Sequence, residues 1–418
     1  YDKHYQKIMK KTIIKNGFVV FTDPDEVKKS DILIENGIII DIAENIILSD
    51  TEIINAENLY IFPGFIDIHA HFREPGFEYK ETFETGLKAA LKGGITTVVA
   101  MPNTQPVPDN IEIIKKIKNK TDKPFYPETI ISASITQNRL GKSSVNYEIL
   151  AKNGLTCFTD DGDPVSDSNI MFEALEASRK FNFVIMSHSQ DKSIDKNNPL
   201  AEEVSVAREI AINSRASGNL HIQHISTALS LKYIEKAREL GIKITCEVCP
   251  HHIFLSRKIK NYGIDTNFKM NPPLREDYDR KALIEGLKNG VINCIASDHA
   301  PHTAEEKSAD YDKSPDGVSG IEIMVPLTVG KLFYEYGFSL PQISKLMSKN
   351  PAEIIFYKDR GVIKKGFKAD FTIIDMNKKF ILNTEDFISK GKNCAFNSFE
   401  CSCSVEKTIK SGEVLYEV

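Results

Sequence analysis

The segment FPGFIDIHAHFREPG, residues 62–76, ends an apolar run in two histidines one residue apart, with an arginine two residues further on. Three other apolar runs end in the same kind of residue. FVIMSHS puts Val184, Met186 and His188 in one phase, LHIQHIS puts Leu220, Ile222 and His224 in one phase, and NCIASDHAPH does so for Cys294, Ala296 and Asp298. Alternate residues of a strand share a face, so each run, read as a strand, delivers an imidazole or a carboxylate at its C-terminal end. Imidazole and carboxylate together suit zinc or a similar divalent ion. Any one of these histidines alone reads as an ordinary hydrogen-bonded rim residue, and a single His-x-His is a common accident. Four strand ends with the same pattern point to a metal. By the same alternation Asp67, His69 and His71 share a face, and Ile66, Ile68 and Ala70 share the other, where apolar side chains suit helix packing. The histidines are therefore expected inside the mouth of the fold, and His221 and Gln223 are expected to face away from it.

A ring of parallel strands would bring such ends together. From about residue 63, strand-like runs alternate with helical stretches. GFIDIHAH reads as a strand and ETFETGLKAALKGG as a helix, with Phe83, Leu87, Ala90 and Leu91 on one face and Gly93-Gly94 closing it. The runs TTVVAMPNT, TIISASIT, LTCFTDD and KITCEVCPHH, with those above, make about eight strands, the number that closes a barrel with its active site at the strands' C-terminal ends. Residues 12–58 read as short strands with an Asn36-Gly37 hairpin signal, and GFKADFTIID and CSVEKTIKSGEVLYEV return to β-rich segments. The expected fold is α/β: a TIM-like (β/α)8 metal-dependent hydrolase barrel over residues 63–365, with a small composite β domain from residues 9–62 and 366–418. Residues 1–8, YDKHYQKI, read as a polar tail that contains His4.

The 418 residues are too many for one ordinary core, which agrees with a large domain plus a smaller one. Net charge is −5 with no Lys/Arg block, which argues against nucleic acid or a membrane surface as partner. No apolar run reaches transmembrane length, and no secretory segment precedes the first strand. Seven cysteines at irregular spacing favour a reducing, cytoplasmic setting over a disulfide framework. Cys246-x-x-Cys249 has no second CxxC and reads as buried thiols. His251 and His252 read as structural groups or as partners that orient ligands. His299 is out of phase with Asp298 and reads as loop support. EEKSAD at 305–310 reads as a solvated mobile loop or an active-site lid.

The motifs PGFIDIHAHFREPG, GGITTVVAMPNTQPV, FTDDG, SHS, HIST, EVCPHH, KMNPPLR and SDHAPH together resemble the amidohydrolase superfamily, and within it the type I dihydroorotase class. The resemblance runs from about residue 12 to the C-terminus. It implies that His69 and His71 bind a first metal, that His188 and His224 bind a second, and that Asp298 both binds the first and shuttles a proton. It implies one or two zinc ions per chain. Arg73, Asn103 and Asn271 match residues that hold the substrate's carboxylate and amide groups, His302 matches a further substrate contact, and Gly317 lies in a loop that closes over the ligand; His71 also borders the substrate. Many members of the superfamily bridge their metals with a carboxylated lysine, but no lysine lies between Gly154 and Val165. Some type I members place an aspartate there, and family spacing from His188 implies Asp161, with Asp160 the alternative. The implied reaction is reversible cyclisation of N-carbamoyl-L-aspartate to (S)-dihydroorotate and water, in de novo pyrimidine (UMP) biosynthesis, with water activated at the metals and an aspartate moving the proton. Candidate partners are a second copy of the chain or a non-covalently bound aspartate transcarbamoylase. The nearer rival is another cyclic amidohydrolase, a hydantoinase or allantoinase, which would lack a carboxylate clamp. The more distant one is a non-catalytic scaffold, against which every ligand position is filled.

Overall fold

The computed structural model describes residues 11–418. The tail expected at residues 1–8, with His4, and residues 9–10 of the N-terminal β segment lie outside the described residues. Five strands come first: β1 (Lys11–Thr22), β2 (Asp25–Glu35), β3 (Ile38–Ala43), β4 (Glu52–Asn55) and β5 (Tyr60–Pro63). β1 and β2 are longer than the short strands expected here. Asn36 and Gly37, both at positive φ, form the turn into β3.

Strands and helices then alternate. β6 (Phe65–Ala70), β7 (Ile95–Ala100), β8 (Glu128–Ile131), β9 (Cys157–Phe158), β10 (Val184–Ser187), β11 (Leu220–Ile222), β12 (Ile244–Val248) and β13 (Cys294–Ile295) are buried apart from the half-buried Glu128, Thr129 and Thr245, and neighbours pair in parallel in two runs, β6-β7-β8 and β9 to β13. Parallel bridges Ala133↔Phe158 and Ala70↔His299 join the two runs at both seams. Among the described residues eight parallel strands therefore follow one another around a ring. The helix Phe83–Lys92 illustrates the local logic. Thr82 caps it in a reciprocal capping box with Thr85, Leu87 and Ala90 are fully buried, and Gly94 at φ 85° ends it.

The last strands are β14 (Phe371–Asp375), β15 (Phe380–Ile381), β16 (Glu400–Cys401), β17 (Ser404–Lys410) and β18 (Glu413–Glu417). One sheet runs β18-β17-β14-β5-β1-β2-β3, with β4 beside β1, so strands from both ends of the chain share it. Its core contains Ile14, Val19, Ile61, Phe371 and Ile373.

Two expectations from strand alternation fail inside the ring. Ile66 and Ile68 pack with Val184, Met186, Cys294 and Ala296 in one cluster, whereas Ala70 joins Leu87 and Ala90 of the helix in another. The β6–β7 register shifts between Asp67 and Ala70, which resets the alternation just before the second histidine. Leu220 and Ile222 also lie in the helix-packed cluster, and His221 is buried and turned to Glu247. His221 does not face away from the site as expected. His224 reaches the mouth because its backbone turns to φ 32°, not because it is in phase with Ile222. The EEKSAD segment also differs from a solvated loop. Thr303 caps a short helix, Ala304–Lys307, and the buried Lys307 amine donates to the carbonyls of Pro315 and Gly317.

Candidate metal centre

Asp161 and four histidines meet at the C-terminal ends of the strands. Asp161 Oδ1 lies 3.4 Å from His69 Nε2, 3.3 Å from His188 Nδ1 and 3.7 Å from His224 Nε2. Its Oδ2 lies 3.2 Å from His71 Nε2, which is also 3.2 Å from Asp298 Oδ1. Asp160 turns away. Its carboxylate accepts from the Ile135 and Thr136 amides and the Thr136 hydroxyl.

Three of these rings have their outer nitrogen already committed. His69 Nδ1 is 2.6 Å from Glu247 Oε1, His71 Nδ1 is 2.8 Å from Asn103 Oδ1, and His188 Nε2 is 3.2 Å from Gln190 Oε1. In each pair the oxygen accepts, so the ring nitrogen carries the proton and the opposite nitrogen presents a lone pair to the centre. The His69 Nε2 and Asp161 Oδ1 atoms are buried with no hydrogen-bond partner. Lone pairs that face one another in a buried space repel, and a cation among them relieves this. The ligand atoms of His69, His71 and Asp298 lie within 4.8 Å of one another, as do those of His69, Asp161 and His224. The donor set therefore fits one or two divalent ions. Burial lowers the His69 imidazole, but Asp161, Asp298 and Glu247 outweigh it and raise it. Burial likewise pushes the Asp161 and Asp298 carboxyls up, and the charge on His69 outweighs it and holds both below the usual carboxylate range. A positive charge therefore belongs at this centre, either a proton on His69 or a bound cation that leaves Nε2 its lone pair.

Glu247 was not singled out by the sequence reading. It is fully buried and is shared by His69 Nδ1 and His221 Nε2, the latter at 3.1 Å. Burial raises its carboxyl, but His69 and His221 bring it down to about 2. The EVC motif put Glu247 on a strand, but only the fold shows that it meets His69. Glu247→Gln is expected to lower metal affinity about 10- to 100-fold, the usual cost of losing such an orienting partner. Competition with a chelator measures this, and unchanged affinity would remove Glu247 from the support of His69.

A cavity of about 210 Å³ opens onto this cluster, lined by His71, Arg73, Asn103, Asp161, His188, His224, Asn271, Asp298 and Gly317 among others. Arg73 is half-buried and its Nε donates to Pro301 O at 3.3 Å; desolvation lowers its guanidinium to about 10, so it stays charged at neutral pH. His302 is not among the lining residues but stands beside Arg73, 3.4 Å away. Burial, then the Arg73 and Lys80 charges, lower His302 to about 3, so it is neutral; Nε2–H donates to Asp316 O at 2.8 Å, and Nδ1 accepts from Lys80 at 3.3 Å. Asn271 exchanges hydrogen bonds with Gln190 at 2.8 and 3.0 Å, which ties it to His188. His251 and His252 sit on the helix Pro250–Phe254, where His252 Nε2 donates to Pro272 O beside Asn271. His299 takes the Gly320 amide on Nδ1 and the His71 amide on its carbonyl. Arg73, His224 and Asp298 all have positive φ, at 62°, 32° and 46°, a conformation uncommon outside glycine that concentrates at functional sites.

Comparison with known proteins accords with this geometry. The amidohydrolase family profile matches residues 60–415. The dihydroorotase of Aquifex aeolicus (strain VF5) is 40% identical, over 98% of this chain and 100% of the relative. That of Bacillus subtilis (strain 168) is 38% identical, over 97% of this chain and 98% of the relative. Among solved structures, the L-hydantoinase (dihydropyrimidinase) from Arthrobacter aurescens superimposes with a TM-score of 0.85 at 22% identity, over 97% of this chain and 96% of that one. A D-hydantoinase does so at 0.84 and 24%, over 97% and 95%. At such low identity these two likenesses establish the fold alone.

Proposed function

Because the chain belongs to the amidohydrolase family, we infer that it uses the cavity above as a dihydroorotase, the activity named for relatives up to 40% identical over nearly its whole length. The fold is a TIM-barrel-like metal hydrolase with a β domain. In the hydrolytic direction the reaction opens the ring amide of dihydroorotate to N-carbamoyl-L-aspartate, and in the biosynthetic direction it closes the same bond with loss of water. The observation that carries the substrate assignment is Arg73, a half-buried charged guanidinium in the wall of the cavity that the candidate metal ligands also line.

The metal reading gives His69, His71 and Asp298 to one ion and His188 and His224 to a second, with Asp161 between them, and zinc suits the set. Bound there, a divalent cation supplies acidified water and polarisation of a carbonyl. The chain's own groups do the rest. Asp298 accepts the proton of the attacking water at its carboxylate and returns it to the ring nitrogen as the C–N bond breaks. Arg73 spends Nε on Pro301 O, which leaves its two terminal nitrogens for the substrate carboxylate. Asn103 holds His71 by its side-chain oxygen and lines the cavity, and Asn271 offers a polar edge to the substrate's amides. Gly317, at φ 149°, brings backbone close to Ala300, where a Cβ would stand 2.5 Å from the Ala300 oxygen.

Hydantoin and allantoin carry no carboxylate for Arg73, and Asp161 stands among the four histidines where a carboxylated lysine would bridge the metals in those families. Both features favour dihydroorotase over those rivals. Arg73→Lys tests the clamp. Lysine keeps the charge but not the planar two-bond grip, so KM for dihydroorotate should rise with kcat little changed. An unchanged KM would take Arg73 out of the substrate site.

A further inference from the structure

We propose that Asn393 is a positioning residue for the carboxylate-binding half of the site, an inference that rests on the dihydroorotase reading. Asn393 comes from the C-terminal stretch SKGKN, residues 389–393, far from the barrel strands in sequence. Its side chain is buried. The Oδ1 atom accepts from the His302 amide at 3.0 Å and from Ser319 Oγ at 3.0 Å. The Nδ2 atom donates to Ala300 O at 3.2 Å and to Gly317 O at 3.0 Å. A side-chain amide has two N–H donors and two oxygen lone pairs, so its whole capacity is used. The Asn393 carbonyl also accepts from the Ser319 amide at 2.7 Å.

One side chain therefore ties residues 300–302 to residues 317–319. Ala300 and Gly317 line the cavity, and Pro301, held between two tethered neighbours, presents the oxygen that fixes Arg73 Nε. A two-bond grip on a carboxylate depends on the plane of the guanidinium, and that plane depends on Pro301 O. The stretch itself is anchored. Ser389 and Lys390 bond to the buried Glu81, and the Ser389 amide donates to Glu322 at 2.9 Å. Gly391 permits the close approach, since a Cβ there would lie 2.5 Å from Pro301 Cβ and 2.7 Å from Ser319 Oγ.

Asn393→Asp keeps the shape, removes both donors and sets an oxygen against the Ala300 and Gly317 carbonyls. Loss of two hydrogen bonds is expected to raise KM for dihydroorotate about tenfold or more, with kcat within about threefold of wild type. Metal per chain should not change. Wild-type protein assayed in parallel checks the reading beneath the proposal: no turnover of dihydroorotate by wild type overturns that reading. Turnover by wild type with a KM ratio below about two overturns Asn393, as does loss of kcat and metal at constant KM, the pattern of a purely structural residue. If thermal melting shows that Asn393→Asp does not fold, Gly391→Ala takes its place. It pushes on Pro301 and on Ser319 Oγ while removing no donor or acceptor of Asn393, and it too should raise KM; an unchanged KM overturns the proposal.

Discussion

Asp298→Asn is expected to fold, to keep metal and to lose kcat by a factor on the order of 10² or more. Asparagine matches aspartate in size and retains one oxygen toward His71, but it cannot take a proton from water and pass it to the leaving nitrogen. The backbone tolerates the change, because Asp298 sits at φ 46° and asparagine is among the few residues at ease in that region. Metal retention is expected because His69, His71 and Asp161 remain around the same point. Metal content and kcat belong on the same preparation, since only their separation assigns the proton role. Full metal with near-normal kcat would mean that another group moves the proton.

His69→Ala is expected to remove metal and activity together. His69 belongs to both candidate ligand groups, so no other histidine replaces it. Loss of the cation's transition-state stabilisation, several kcal/mol, corresponds to a fall in kcat/KM on the order of 10³ or more. The variant also leaves Glu247 Oε1 buried without its imidazole, so a lower melting temperature should accompany the loss. Elemental analysis and turnover measure the pair. Full metal with the imidazole gone would place the ion elsewhere.

The ring of strands was legible because its signals are local. GFIDIHAH, FVIMSHS and NCIASDHAPH each carry a short apolar run that ends in a polar group, and the helix after β6 carries its cap and its glycines. That His69, His71, His188, His224 and Asp298 would converge was legible for the same reason, whereas Asp161 came from the family resemblance and not from a strand signal. The direction of individual side chains was less so. Alternation assumes an unbroken strand, yet the register shifts between Asp67 and Ala70, and His224 and Asp298 leave strand geometry at positive φ. His221 was misplaced on that ground. Glu247 and Asn393 were missed for another reason: each acts through partners 178 residues or about 90 residues away, and nothing in the local pattern reports such a pairing. Asp160 and Asp161 show the limit from the other side. Adjacent identical residues differ only in which neighbour the fold supplies, Thr136 for one and four histidines for the other.

The most direct measurement takes metal-stripped protein, restores zinc in bicarbonate-free buffer, and offers dihydroorotate, hydantoin and allantoin side by side. Zinc alone should restore turnover, because Asp161 needs no carboxylation, and dihydroorotate should be the substrate consumed, with N-carbamoyl-L-aspartate as product. A requirement for bicarbonate, or preference for hydantoin or allantoin over dihydroorotate, would contradict the account.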